Sequence, residues 1–239
     1  MPHGPRWQAP AWAWAMTLPA LALLCGLGLW QVQRGSARQA LDAQYARAAD
    51  EAPVQLAAGL QPPAQGVQRA QATGVWRAER QLLLDNQTYR KRPGYQVWTP
   101  LELADGSLLL VNRGWVPQHP DRRIKPELPL PDLPVQVSGY WRALPQPGLR
   151  LPAGETCAES DFPQVVQYPD AAQLACLLPA PVLPGLLLLD PEAPSGFVRD
   201  WRIAAEVPPT RHYGYAAQWF AFAATLLFLF IKLNFKPRS

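Results

Sequence analysis

The sequence predicts an α+β membrane protein: a two-helix transmembrane hairpin enclosing a mainly antiparallel-β soluble domain, barrel-like or sheet, with minor helix. Three observations predict it. Residues 11–30 (AWAWAMTLPALALLCGLGLW) carry no charge, and about 20 such residues at a 1.5 Å rise cover the hydrocarbon core of a bilayer. Residues 213–231 (YGYAAQWFAFAATLLFLFI) are likewise uncharged. Between them the chain breaks into short apolar runs punctuated by glycine and by many of its 28 prolines. The mean hydropathy of -0.12 looks like that of a soluble protein only because it averages the two ends with the middle.

Taken in order, residues 1–10 form a cytoplasmic tail and residues 11–31 the first transmembrane helix. Trp12, Trp14 and Trp30 mark the headgroup levels of this helix. A cleaved signal peptide is the rival account, but the apolar stretch is long for one and Trp30-Gln31-Val32-Gln33-Arg34 is a poor cleavage context. Residues 32–211 form an outward-facing, β-rich domain. It opens with residues 36–51, rich in Ala, Gln and Arg, which continue the helix out of the membrane until Pro53. Strands are expected at 67–76, 81–85, 95–103, 107–112, 135–142 and 185–190, with a short helix at 170–177. Ala104-Asp105-Gly106 between two apolar runs signals a hairpin. Residues 85–89 and 93–95 read as turn and strand-entry pieces. Residues 212–232 form the second transmembrane helix, with Tyr213, Tyr215 and Trp219 near its start, and residues 233–239 a second cytoplasmic tail.

Arg6, Lys232, Lys236 and Arg238 in the two tails favour both termini inside. Arg34, Arg38 and Arg47 follow the first span, but a loop this long translocates largely regardless of charge. The net charge of +4 is scattered, with no basic stripe suited to nucleic acid. Of three cysteines, Cys25 lies within the first span; Cys157 and Cys176 lie in the outward domain, where a disulfide could persist.

No nucleophile elbow, zinc-protease helix, phosphate loop or dinucleotide fingerprint occurs, and no Cys/His cluster has metal-ligand spacing. An enzyme is therefore not expected. His212, by contrast, stands out by position, since it opens the second span. His212, Tyr215, Trp219 and Phe222 follow at helical spacing, which puts an imidazole above a stripe of rings. That arrangement suits an axial ligand to haem iron, and it equally suits an aromatic belt against lipid. By spacing alone the belt is the simpler account. A second face, Gly214, Ala217, Ala221 and Ala224, would let the first span approach closely through Gly26 and Gly28. Such packing would bring Trp30, Gln31 and Arg34 near His212. Arg34 could then meet an anionic group such as a haem propionate, or bind lipid phosphate. In the outward domain, Asn112-Arg113-Gly114-Trp115 ends an apolar strand, with Arg113 stacked on a ring and Gly114 at a strand corner.

Four motifs in order, Leu29-Trp30-Gln31-Val32-Gln33-Arg34, Asp85-Asn86 followed by Pro93-Gly94-Tyr95, residues 111–117 (VNRGWVP), and His212-x-x-Tyr215-x-x-x-Trp219, resemble the Surfeit-locus family of cytochrome c oxidase assembly factors. The resemblance runs from about residue 26 to residue 222. It implies a non-enzymatic factor in the bacterial inner membrane whose partner is the catalytic subunit of a haem–copper oxidase. The haem a synthesis machinery is a further possible partner, and membrane lipid surrounds the spans. It also implies haem a as a transient cofactor, with His212 as axial iron ligand beside Tyr215 and Trp219 and with Arg34 as a propionate partner. Trp30, Gln31, Asn112, Arg113, Gly114 and Trp115 are then structural or partner-binding residues. Thr210 departs from the Asn that relatives often carry two residues before the histidine. A scaffold that binds the oxidase subunit without haem is the alternative, and a sensor and a periplasmic enzyme are further rivals.

Overall fold

The computed structural model describes residues 6–7, 9–131, 133–146, 161–201 and 208–236. Its elements run β1 (Arg6–Trp7), α1 (Ala11–Asp50), β2 (Val54–Gln55), β3 (Gln68–Trp76), a 3-10 turn at Ala78–Arg80, β4 (Leu82–Tyr89), β5 (Arg92–Leu103), β6 (Leu108–Pro117), β7 (Val135–Arg142), β8 (Gln164–Val166), α2 (Ala171–Leu177), β9 (Leu186–Leu189), α3 (Pro209–Asn234) and β10 (Phe235–Lys236). They form two compact units, Met1–Ala43 with Ala205–Ser239, and Gln44–Ala204.

In the first unit, the apolar stretch of α1 packs antiparallel on α3. The residues shielded along α1 (Ala13, Thr17, Leu24, Gly28, Gln31 and Gly35) recur at intervals that approximate a 3.5-residue repeat. Those along α3 (His212, Ala216, Trp219, Ala223, Leu226 and Phe230) keep the same period. At the opposite end from His212, Trp7, Trp14, Phe230 and Phe235 form an edge-to-face cluster, with Trp14 and Phe230 centroids 4.8 Å apart. The two-residue pairing of β1 with β10 closes that end.

The second unit is built on a ring of five strands in the order β3-β7-β9-β6-β5, closed by pairing of β5 back onto β3. Closure depends on β5, whose 12 residues pair with β6 along one edge and with two strands in turn along the other. Its first half pairs with β4, and Leu101–Leu103 turns onto β3 opposite Gly74. A Cβ on Gly74 would lie 2.2 Å from the carbonyl oxygen of Glu102, so only glycine permits this approach. Trp76, Leu101, Leu109, Val111, Trp141, Leu187 and Leu189 fill one core cluster. Each such side chain contributes about 1.5–3 kcal/mol of burial. A second cluster packs Leu82, Leu84, Trp98, Leu108, Leu110 and Leu188 with Leu174 and Leu177 of α2, whose first turn is capped by Asp170 through Gln173 N–H at 3.0 Å.

Sequence and structure differ in several places. Besides the expected antiparallel pairs, β2–β3, β4–β8 and β6–β9 are parallel, each having the connection of about a dozen residues or more that a parallel pair requires. Residues 85–89 and 93–95 lie within β4 and β5, and the turn is Arg90-Lys91, both at positive φ. Strand β6 does not end at Asn112; it runs to Pro117 past a bulge opposite residues 96–98. The helix expected at 36–51 does continue the first apolar segment as one element, α1. Cys176 is disulfide-bonded and Cys25 is free. Cys157, the other cysteine of the outward domain, lies outside the described residues.

Candidate functional site

Where α3 begins, the seam between the two long helices becomes polar. His212 is half-buried there, and its Nδ1 lies 2.8 Å from Oε1 of Gln31 on α1. Next to it, the Tyr213 hydroxyl donates to Oε1 of Gln39 at 3.1 Å. Gly35 sits between these two amides. A Cβ on Gly35 would come 2.9 Å from the Tyr213 ring and 3.3 Å from His212 Cβ, so the missing side chain is what lets the imidazole lie against α1. Gly28 does the same two turns back along α1, where a Cβ would lie 2.6 Å from the ring of Phe220.

The expected site is therefore only partly brought together. His212, Gln31 and Trp219 lie along the seam, with Trp219 edge-on to Phe222 at 6.1 Å. Tyr215 is 46% exposed and Phe222 56%, on the outer flank of α3, so the stripe of rings splits between two faces. A helix turns about 100° per residue, and residues 215 and 222 fall off the 3.5-residue seam that holds 212 and 219. Trp30 is also exposed, with the Arg34 guanidinium 5.8 Å from its ring centroid. The small-residue face was misplaced too. Gly214, Ala217, Ala221 and Ala224 are exposed, and nothing lies within 4 Å of a Cβ built on Gly214. The contact runs instead through Ala216 and Ala223. Gly35 and Gln39 were missed by sequence reasoning. The available signal was a glycine at the junction of two helical segments, flanked by Gln at equal distances.

The second group of expected residues sits in the barrel. Arg113 is 1% exposed, yet no carboxylate pairs with it among the described residues. Its guanidinium lies between the rings of Trp76 (5.9 Å) and Phe197 (4.8 Å). Nε donates to Ser195 O at 2.7 Å, Nη1 to Gln81 Oε1 at 2.9 Å and Nη2 to Pro129 O at 3.0 Å. Burial, and secondarily the charge of Arg199, hold it down at about 10, which still leaves it charged at neutral pH. Asn112 bridges Gln96 and the Gly114 N–H, and the Trp115 indole donates to Gln87 O at 2.9 Å. At Gly114, φ is +111° and a Cβ would lie 2.6 Å from Val198 O. This cluster pins the segments at 128–129 and 195–198 onto β6 from inside the fold. Asn112, Arg113 and Trp115 are all buried there.

Nearby on β3, Arg69 forms a bidentate pair with Asp190, which also accepts from Ser138 at 2.5 Å. Burial alone would push that carboxyl up, but hydrogen bonds from Arg69 and Ser138 and the charges of Arg69 and Arg199 together hold it below its usual range. Among the described residues, no group of three His, Cys, Asp or Glu is gathered as for a metal ion.

Both long helices are apolar enough to cross a membrane, and only 17% of the apolar stretch in each is buried by the chain itself. Core helices of soluble proteins are covered far more, so these two suggest association with a membrane. The fold thus defines a class: a closed-strand domain carried between two apolar helices, with one imidazole in their seam. The SURF1 family model matches residues 18–224, and the chain belongs to the SURF1 family, known for cytochrome oxidase assembly. No curated protein matches the chain in sequence.

Proposed function

We propose that this protein is a bacterial inner-membrane factor that holds haem a transiently for delivery to the catalytic subunit of a haem–copper oxidase. The observation that carries the proposal is the seam imidazole. With Nδ1 turned to Gln31, Nε2 is the ring nitrogen left over, and among the described residues it has no partner. A neutral imidazole is a suitable donor to haem iron. Trp219, seven residues on along the same seam, supplies an apolar wall, and exposed Arg34 is available to a propionate. Haem a, when held, supplies the redox-active iron of the mature oxidase; the factor itself needs only to bind, orient and release it. Tyr215 faces outward, which suits a contact with the oxidase subunit or lipid better than a pocket wall.

Two spans, at 11–31 and 212–232, would place residues 32–211 in the periplasm and both tails in the cytoplasm, supported by the tail cations. The test is the optical spectrum of the full chain purified from cells that make haem a. We expect a haem signature that His212→Ala abolishes. A haem-free preparation, or a spectrum unchanged by that substitution, would leave the scaffold alternative, in which the helices and barrel bind the oxidase subunit without cofactor. The outward position of Tyr215 favours that alternative as the second reading.

A further inference from the structure

We infer that Gln31 is a positioning residue for His212: it fixes which ring nitrogen carries the proton. The amide oxygen of Gln31 faces Nδ1 at 2.8 Å, and an amide oxygen can only accept. Nδ1 therefore carries the hydrogen and Nε2 keeps its lone pair. A lone pair on Nε2 can bind a metal centre, whereas a proton there would block it. In metal sites, the group holding the far nitrogen of a ligating histidine commonly makes this choice.

The surroundings make the contact a built one. Gly35 leaves room for the ring to approach α1, and the neighbouring bond from Tyr213 to Gln39 holds the next residue of α3 to the same face. Gln31 and Gln39 stand at equal distances on either side of Gly35, so α1 grips the start of α3 by two neutral amides. Neutrality matters at a membrane boundary, where an ionised carboxylate in the same place would be costly. It also matters for strength. A carboxylate partner would make the imidazole a stronger donor than an amide does, and an amide therefore suits a ligand that must let go. That the lone pair serves haem iron rests on the proposed function; the tautomer does not.

The experiment separates the two. The full chain, labelled with 15N-histidine and held haem-free in detergent, contains three histidines, and loss of one signal set in His212→Ala identifies the residue. We expect ring nitrogen shifts of the Nδ1–H tautomer for His212. Gln31→Leu should move the ring toward Nε2–H, and Gln31→Glu, which keeps an acceptor, should restore Nδ1–H. An Nε2–H tautomer in the unaltered chain, or a tautomer indifferent to Gln31→Leu, overturns the inference. If the tautomer follows Gln31 but titrated haem a does not bind, the haem proposal fails and the positioning role stands. If haem binds, Gln31→Leu should weaken it about 10–100-fold, the range seen when a ligand's supporting hydrogen bond is removed. An unaltered haem affinity would then show that the tautomer is not used for binding.

Discussion

Two side chains show how far a residue's role depends on what surrounds it. Arg113 and Arg34 are both arginines beside an aromatic ring, yet one is sealed inside the barrel and the other faces outward. For Arg34 the ring contact is a surface contact of modest worth, leaving the charge free for an anionic partner. For Arg113 the hydrogen bonds to Ser195, Gln81 and Pro129 replace the water that burial removed. Arg113→Met would keep much of the volume but leave the Ser195 and Pro129 carbonyls without that donor, while Gln81 Oε1 still accepts from the Thr99 hydroxyl at 2.9 Å. The expected loss is about 2 kcal/mol, at about 1 kcal/mol for each part-buried carbonyl left unpaired. Thermal unfolding followed by tryptophan fluorescence checks it, and a variant as stable as the parent would show that the cation is not what pins those segments. His212 belongs to neither case, being half-buried with one nitrogen engaged and the other open.

At the level of elements, the geometry of the site comes from how two helices meet. Ala216 and Ala223 on α3 and Gly28 and Gly35 on α1 are small where the seam needs closeness. At Gly35 a Cβ alone would already lie 2.9 Å from the Tyr213 ring. Gly35→Val would place methyl groups where the Tyr213 ring and His212 Cβ now lie, forcing the start of α3 outward. We expect loss of the Gln31–His212 and Gln39–Tyr213 hydrogen bonds, with the apolar half of the seam retained. A cysteine pair across each end of the seam reports this: cross-linking should drop near residue 35 and persist near the Trp14–Phe230 contact. Equal cross-linking at both ends would mean that the helices do not need glycine there. Among the strands, β5 has the matching role, because its turn onto β3 at Gly74 makes a ring of what would otherwise be an open sheet.

The whole molecule is a β domain inserted between two apolar helices, and its topology can be tested as one object. Two spans with both tails in the cytoplasm predict that protease added to right-side-out vesicles cuts only within residues 32–211, including the exposed Arg90-Lys91 turn. In inverted vesicles the same sites should be protected. Cleavage in both preparations would refute the topology. Much of this plan was legible in the chain. Both apolar helices, the strands at 68–76 and 135–142, the Asp105-Gly106 hairpin and Asp170 at the head of a short helix are local signals, and each was found close to its true bounds. Less legible were β4 and β6, which run on through Asn, Arg, Gly and Trp residues of turn-like composition. Their continuity comes from pairing with β5, which local propensity does not register.

By itself the sequence determined what short-range physics dictates: where apolar residues are dense enough to span, where they alternate, where proline and glycine stop an element, and that a histidine opens the second helix. It also brought four motifs into the order that marks the family. Only the tertiary structure decided which side of α3 meets α1, that the ring closes through β5 onto β3, and that Gln31 rather than Arg34 or Trp30 meets His212. The reason is geometric. A helix offers several faces of similar composition, and the choice among them depends on the shape of a partner far along the chain. Here two glycines and two alanines outcompeted a face of Gly214, Ala217, Ala221 and Ala224 that looked equally good in one dimension.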